Sequence, residues 1–286
     1  MDYSYDLTVA ICTYNRCDIL NQTLSVLNKQ IKNCEFDIQV IIIDNNSSDN
    51  TKNVVKFNNL LECYHFEEKA GLSHARNAAL DLSEGRYICF IDDDAVPCEN
   101  WLNNVVTATK NNPDIEFFGG RIIPDPEVDL PLWFDSAFWG LYSLQDFGTD
   151  LKVYPTRVGP VGANMILSMK AVGSERFDPR LGRIGNNLLS GEETEFLIRL
   201  GFLDKKSMYL GNASVIHKFP RTRYEKKWAV ERFKADGIST RVMLRVTPSF
   251  RGFLSPMYNL LISLKWKNSF YTYCHIVKVV GFFRGK

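Results

Sequence analysis

Long hydrophobic runs are missing from this sequence of 286 residues: none reaches 18 uninterrupted apolar positions, so no transmembrane helix is expected. Met1 to Asp6 is acidic and polar where a signal peptide needs a basic start and an apolar core, so none is expected. Cysteine at metal spacing is absent too. The seven cysteines are scattered, form no C-x-x-C, and read as reduced, mostly buried thiols of a cytosolic protein. Hydrophobic residues at 45% and charged residues at 23% are close to the averages of soluble globular proteins. The length suffices for one large α/β domain, alone or with a tail.

Positive charge is scarce in the first part of the chain and negative charge in the last. From Lys218 onward 15 Lys+Arg face only Glu225, Glu231 and Asp236, a net of +12; residues 1–217 carry 19 against 30, a net of −11. An acidic body with a basic tail implies that the tail faces something anionic, a nucleotide pyrophosphate or a membrane surface.

What is present centres on Gly85 to Pro97. Tyr87 to Ile91 is a short apolar, β-rich run, and Asp92, Asp93 and Asp94 follow it at once. Ligands of open α/β sheets bind at the carboxyl ends of the strands, which is where these acids fall. Alternation along an extended chain turns Asp92 and Asp94 one way and Asp93 another. Two converging carboxylates suit a hard divalent cation carrying phosphates, which also relieves their mutual repulsion.

Further β-type runs occur at 7–12, 38–43, 62–66, 117–123, 161–167, 207–210 and 213–216, and helical spacing at 19–27, 54–57, 72–82, 101–110 and from about 192 to 201. Strands alternating with helices in this way predict a mostly parallel sheet built from right-handed βαβ units. Residues 124–160 are rich in Pro, Asp, Trp and Phe with little periodicity, which reads as an aromatic lid or as packing. Residues 218–286 read as basic, aromatic helices. Their apolar runs, 253–264 and 270–283, are too short to span a bilayer and suit helices lying on an anionic membrane, or helices that wrap the body and complete its core.

Five stretches then carry a resemblance: Ala10-Ile11-Cys12-Thr13-Tyr14-Asn15-Arg16, Ile43-Asp44-Asn45-Asn46-Ser47-Ser48-Asp49, Gly71-Leu72-Ser73-His74-Ala75-Arg76-Asn77, Asp92-Asp93-Asp94 and Gly191-Glu192-Glu193. Their order and spacing over residues 5–220 resemble the signature of the inverting nucleotide-sugar glycosyltransferases of family two, with the GT-A fold. The resemblance implies a catalytic domain at 1–217, divided into a nucleotide-binding half (1–97) and an acceptor-binding half (98–217), followed by the basic helical region 218–286.

It also implies roles. Thr13, Tyr14, Asn15 and Arg16 would flank the nucleotide, with Asp44 accepting hydrogen bonds from the nucleoside, although a turn-forming Asp is the plainer reading of Asp44. Arg76 and Asn77 would meet the base or pyrophosphate from a helix start. Asp92 and Asp93 would lie near the ribose, and Asp94, Asp92 and His217 would hold Mn2+ or Mg2+. Arg221 and Arg223 would neutralise the leaving diphosphate, and Trp101 and Asn164 would touch the acceptor. Glu193, with Glu192 beside it, stands at the position of the catalytic base, where Asp is commoner. Ser190-Gly191-Glu192-Glu193 equally fits a helix capping box with Glu193 at the third helical position.

The expected reaction moves a sugar from a nucleotide-diphosphate sugar, UDP first among candidates, to a hydroxyl of a glycan or lipid-linked saccharide at the inner face of a cytoplasmic membrane. No nucleic-acid partner is expected. Rivals are a nucleotidyltransferase, which would favour a glycine-rich phosphate loop and a Lys or Arg after the first strand, where only Arg16 stands, and a non-catalytic glycan-binding scaffold.

Overall fold

The computed structural model describes residues 3–155, 158–185, 187–248, 250–265 and 268–284; positions 156–157 of the aromatic segment and 249, 266–267 and 285–286 of the basic region lie outside that description.

Three apolar runs pair in parallel to start the sheet. β1 (Tyr5–Thr13) lies between β2 (Ile38–Asp44) and β4 (Gly85–Asp92), and β3 (Tyr64–Phe66) adds to the far side of β2. Period-two alternation divides their side chains. Leu7, Val9 and Ile11 meet Leu20, Leu24 and Leu27 of α1 (Cys17–Lys32), while Ala10, Ile41, Ile43, Ile88 and Phe90 share a second cluster with Ala75, Ala79 and Leu80 of α3 (Leu72–Leu82). A sheet covered on both faces explains why these strands read as continuous apolar runs. α2 (Thr51–Phe57) fills the β2–β3 connection.

Beyond β4 come β5 (Ala95–Pro97), α4 (Trp101–Asn111), β6 (Phe117–Pro124), β7 (Leu151–Val153), β8 (Asn164–Ser168), α5 (Met169–Val172), α6 (Glu192–Arg199) and β9 (Ser207–His217). The sheet order is β3-β2-β1-β4-β8-β6-β9-β5, with β7 paired to β9. β8 runs antiparallel between β4 and β6, whereas β6 and β9 are parallel over a longer ladder. This is the expected α/β architecture with a mostly parallel central sheet. Two strands expected at 207–210 and 213–216 are one, β9, continuous through a register shift opposite Gly120 and Ile122. β5 and β7 carry three residues each, too few for periodicity to reveal.

After His217 the chain is helical: α7 (Lys226–Val246), α8 (Phe250–Ser263) and α9 (Ser269–Arg284). α7 and α9 cross so closely that a Cβ on Gly237 would lie 2.1 Å from the Lys278 carbonyl oxygen. Segment 124–160 packs against them. Trp133, Phe134, Phe138 and Tyr142 interlock edge to face with Tyr224, Phe233, Phe270 and Tyr271, so the packing reading of its aromatic residues is realised.

Candidate active site

Register builds the site. Thr13 is opposite Asp44, and Cys12 is opposite Asp92, so three strands end at one edge of the sheet. β5 then turns the chain back antiparallel to β9 with Ala95 opposite His217, and this sets a residue 123 positions later beside Asp94.

Asp94 Oδ1 lies 3.1 Å from His217 Nε2, and the Asp94 carbonyl accepts from the Lys218 N–H at 2.7 Å. Asp92, Asp94 and His217 each offer a ligand atom, all within 4.8 Å of one another. Two carboxylates and an imidazole fit Mn2+ or Mg2+, and His217 Nδ1 is a buried nitrogen without a hydrogen-bond partner among the described residues. Burial opposes ionisation of Asp94, but the charges of His217, Arg16 and Arg223 outweigh it and hold the carboxyl below its usual range. Burial raises Asp92, with Asp94 adding to the effect and Arg76 opposing it. Asp93 stands in the turn after β4, where the expected strand alternation no longer applies, and it is not part of the three-residue cluster. It is pushed up to about 6 by burial, and its carboxylate accepts from Thr13 Oγ1 and Arg16 Nη1, both at 2.8 Å. Arg16 Nη1 also donates to Asp94 Oδ2 at 2.7 Å. Asp93 therefore braces the loop after β1.

Glu192 and Glu193 line the same cavity, of about 1030 Å³. Arg76, only 2% exposed, clamps both: Nη1 donates to Glu192 Oε1 at 2.9 Å and Nη2 to Glu193 Oε1 at 2.6 Å, with Asp92 Oδ1 3.8 Å away. The backbone N–H of Gly162 donates to Glu193 Oε2 at 3.0 Å. Glu192 Oε2 is buried without a partner, and burial, then the neighbouring Glu193, raises its pKa. The capping box does not form. Gly191, at φ 92°, is the N-cap, no side chain caps α6, and the Ser190 N–H donates to Ser239 Oγ instead. A positive φ suits glycine, and it leaves Glu193 at the second helical position with its carboxylate free to reach Arg76 and Gly162.

Thr13, Tyr14, Asn15, Arg16, Arg76, Asp92, Asp93, Asp94, Glu192, Glu193, His217 and Arg223 all line this cavity. Five expected residues do not. Asp44 is only 2% exposed and is spent on the turn, accepting from the Ser47 N–H and the Tyr64 hydroxyl, both at 2.8 Å. Asn77 bonds the backbone of Phe177 in both directions. Arg221 lies exposed outside the cavity. The expectation that Trp101 and Asn164 touch an acceptor is corrected: both are fully buried, and Trp101 Nε1 donates to Asn164 Oδ1 at 3.1 Å.

Other residues without an expected role also line the cavity. Asn45 donates to the Lys69 carbonyl and accepts from the Gly71 N–H. Arg183, Trp228, Arg232, His275 and Lys278 also line the cavity. The four last named come from α7 and α9, so the basic region supplies part of the cavity wall.

The fold and site together define a GT-A glycosyltransferase. The chain belongs to glycosyl transferase family 2, whose model matches residues 8–173, more than half of its length. It is similar to a glucosyl-dolichyl phosphate glucuronosyltransferase of Haloferax volcanii, 28% identical over 248 residues that cover 83% of this chain and 77% of the relative. Its fold resembles that of the mannosyltransferase PcManGT from Pyrobaculum calidifontis, solved in complex with GDP-Man and Mn2+, at TM-score 0.60 and 15% identity over 99% of this chain and 77% of that one. It also resembles S. aureus TarS 1-349 in complex with UDP, at TM-score 0.56 and 15% identity over 97% and 89%. The nucleotidyltransferase and scaffold alternatives give way to this assignment.

Proposed function

We propose that the enzyme transfers a sugar, with inversion, from a UDP-sugar to a hydroxyl of a glycan or lipid-linked saccharide, using a divalent cation. The observation that carries this reading is one cavity lined both by the cluster Asp92, Asp94 and His217 and by the acid pair Glu192 and Glu193, linked through Arg76. Neighbours of this fold hold GDP-Man with Mn2+, or UDP, and a cation would reconcile an anionic diphosphate with the carboxylates of this cluster.

Asp92, Asp94 and His217 hold the cation, Mn2+ or Mg2+, which when bound supplies Lewis-acid stabilisation to the leaving diphosphate. Arg223, 3.9 Å from Asp94, adds positive charge beside it. Thr13, Tyr14, Asn15 and Arg16 form the nucleotide side of the cavity. Glu193 is the general base. Its Oε atoms receive one Arg76 donor and one backbone N–H, which fix the orientation of the carboxyl group. It takes the acceptor hydroxyl proton as the acceptor oxygen bonds to the anomeric carbon and the bond from that carbon to the diphosphate breaks on the opposite face. Glu192 beside it is buried, and burial and the Glu193 charge raise its pKa against the opposing charge of Arg76.

Thermal unfolding with UDP and Mn2+ tests the donor half. Saturation at about 100 times Kd raises stability by about 2.7 kcal/mol. A melting temperature indifferent to every nucleoside diphosphate, with and without metal, defeats the proposal. A screen of nucleotide sugars for metal-dependent hydrolysis then identifies the sugar.

A further inference from the structure

Arg183 and Arg232 belong to none of the groups assigned above. Arg183 lies in the segment that precedes α6, half-buried, and its guanidinium makes no hydrogen bond or ion pair among the described residues. Arg232 on α7 is 7% exposed; its Nη1 donates to the Leu188 carbonyl at 3.2 Å, while its buried Nε has no partner. Both line the cavity, and the intervening loop is fastened to α7 by the Ser190 N–H on Ser239 Oγ at 2.9 Å. Burial, followed by the charges of Arg232 and Arg16, lowers the pKa of Arg183, and the more weakly felt charges of Asp94 and Asp92 do not offset it. Arg16, by contrast, is committed to Asp93 and Asp94, and Arg223 stands beside Asp94.

An unpaired guanidinium in a desolvated cavity costs stability, and a buried Nε without an acceptor adds to that cost. A bound anion would remove both penalties. We propose that Arg183 and Arg232 form a second anion subsite in the cavity, separate from the donor diphosphate, that takes a phosphoryl group carried by the acceptor. Two guanidiniums match the charge of a phosphate dianion and its forked hydrogen bonding better than a single carboxylate does. Trp228 and Phe233 line the cavity from the same helix as Arg232 and offer apolar surface to whatever bears the phosphate. Calling the ligand an acceptor rests on the transfer reading above; the anion site itself does not.

The experiment titrates glycerol 1-phosphate into the full chain saturated with UDP and Mg2+, by calorimetry, with acetate as the carboxylate control. Saturable binding of the phosphate to the wild type is expected. It weakens about tenfold or more in Arg183→Gln and in Arg232→Gln, and recovers in part in Arg232→Lys, with UDP affinity unchanged in all three. Absence of saturable phosphate binding overturns the proposal, as does acetate binding equally well. A matching loss of UDP affinity overturns it too, because it hands the arginines to the donor. If no nucleoside diphosphate binds, the donor reading fails separately, and the same titration of the nucleotide-free protein still decides the subsite.

Discussion

Arg76 and Glu193 divide binding from chemistry at the level of single side chains. Arg76 neutralises two glutamates at hydrogen-bond distance and Asp92 at 3.8 Å, almost out of contact with water. Removing one partner from such a buried network typically costs about 3–5 kcal/mol, because the acids left behind are uncompensated. Glu193 is the more exposed partner, and an amide in its place still offers an oxygen to Arg76 and Gly162. Glu193→Gln should therefore unfold within about 1 kcal/mol of the wild type in urea, yet lose about 10²–10⁴ in kcat. Arg76→Gln should lose stability first. Turnover surviving in Glu193→Gln would remove that residue as the base. Asp92 and Asp94 were legible because they follow an apolar strand at once, and His217 and the acid pair were singled out through the family resemblance. The partnership of Arg76 with the acids was not, since its contacts span 116 and 117 positions. Nor was the loss of Trp101 and Asn164 to each other, because sequence alone does not reveal that both are buried.

Elements explain what periodicity can and cannot deliver. The strands at 5–13, 38–44 and 85–92 announce themselves by apolar runs that both faces of the sheet require, whereas β5 owes its existence to β9 and has no pattern of its own. The crossing of α7 and α9 is likewise silent in sequence, although it depends on Gly237. A Cβ there meets backbone of α9, namely the Lys278 carbonyl oxygen at 2.1 Å and the Phe282 nitrogen at 2.8 Å, which no rotamer change relieves. Gly237→Ala should cost about 1–3 kcal/mol in urea unfolding despite the better helix propensity of alanine; an unchanged or raised midpoint would show that the crossing tolerates spreading. The same pair of helices holds His275, 5% exposed, with neither ring nitrogen hydrogen-bonded among the described residues. Phe233, Tyr271, Lys278 and Asp236 surround it. Burial, then the Lys278 charge, pushes its pKa down to about 4 from 6.5. The unfolded chain thus binds more protons between those values, and stability falls as pH drops through that window. His275→Phe keeps a ring and removes the titration. Between pH 8 and pH 5 the wild type should lose about 2 kcal/mol more than this variant, and equal losses would show that His275 is already charged in the fold.

Over the whole molecule, the charge asymmetry and the apolar surface of the basic region coincide. Among the described residues no helix is long and apolar enough to cross a membrane. Yet Leu254, Tyr258 and Leu261 lie at i, i+4 and i+7 along α8, and Tyr273, Ile276, Val280 and Phe283 along α9, all at least 40% exposed. Arg245, Lys265 and Arg284 are exposed in the same region, within a stretch whose net charge is +12. Other residues of α9 are used by the body: Cys274 and Phe282 are buried, and His275 and Lys278 line the cavity. The two expectations for residues 218–286, core completion and surface contact, therefore concern different residues of the same region. We infer peripheral contact with an anionic bilayer, which would present a lipid-linked acceptor near the cavity that α7 and α9 help to wall. Burying one leucine is worth about 1.5–3 kcal/mol and each nearby basic residue about 1 kcal/mol at low salt. Sedimentation with vesicles containing phosphatidylserine should accordingly detect binding that weakens as salt rises, and that falls more than about tenfold in Leu261→Ser combined with Phe283→Ser. UDP binding of that variant should stay at the wild-type level, because neither residue lines the cavity. Vesicle binding absent at low salt, or indifferent to both substitutions, would leave the stripe without a membrane role.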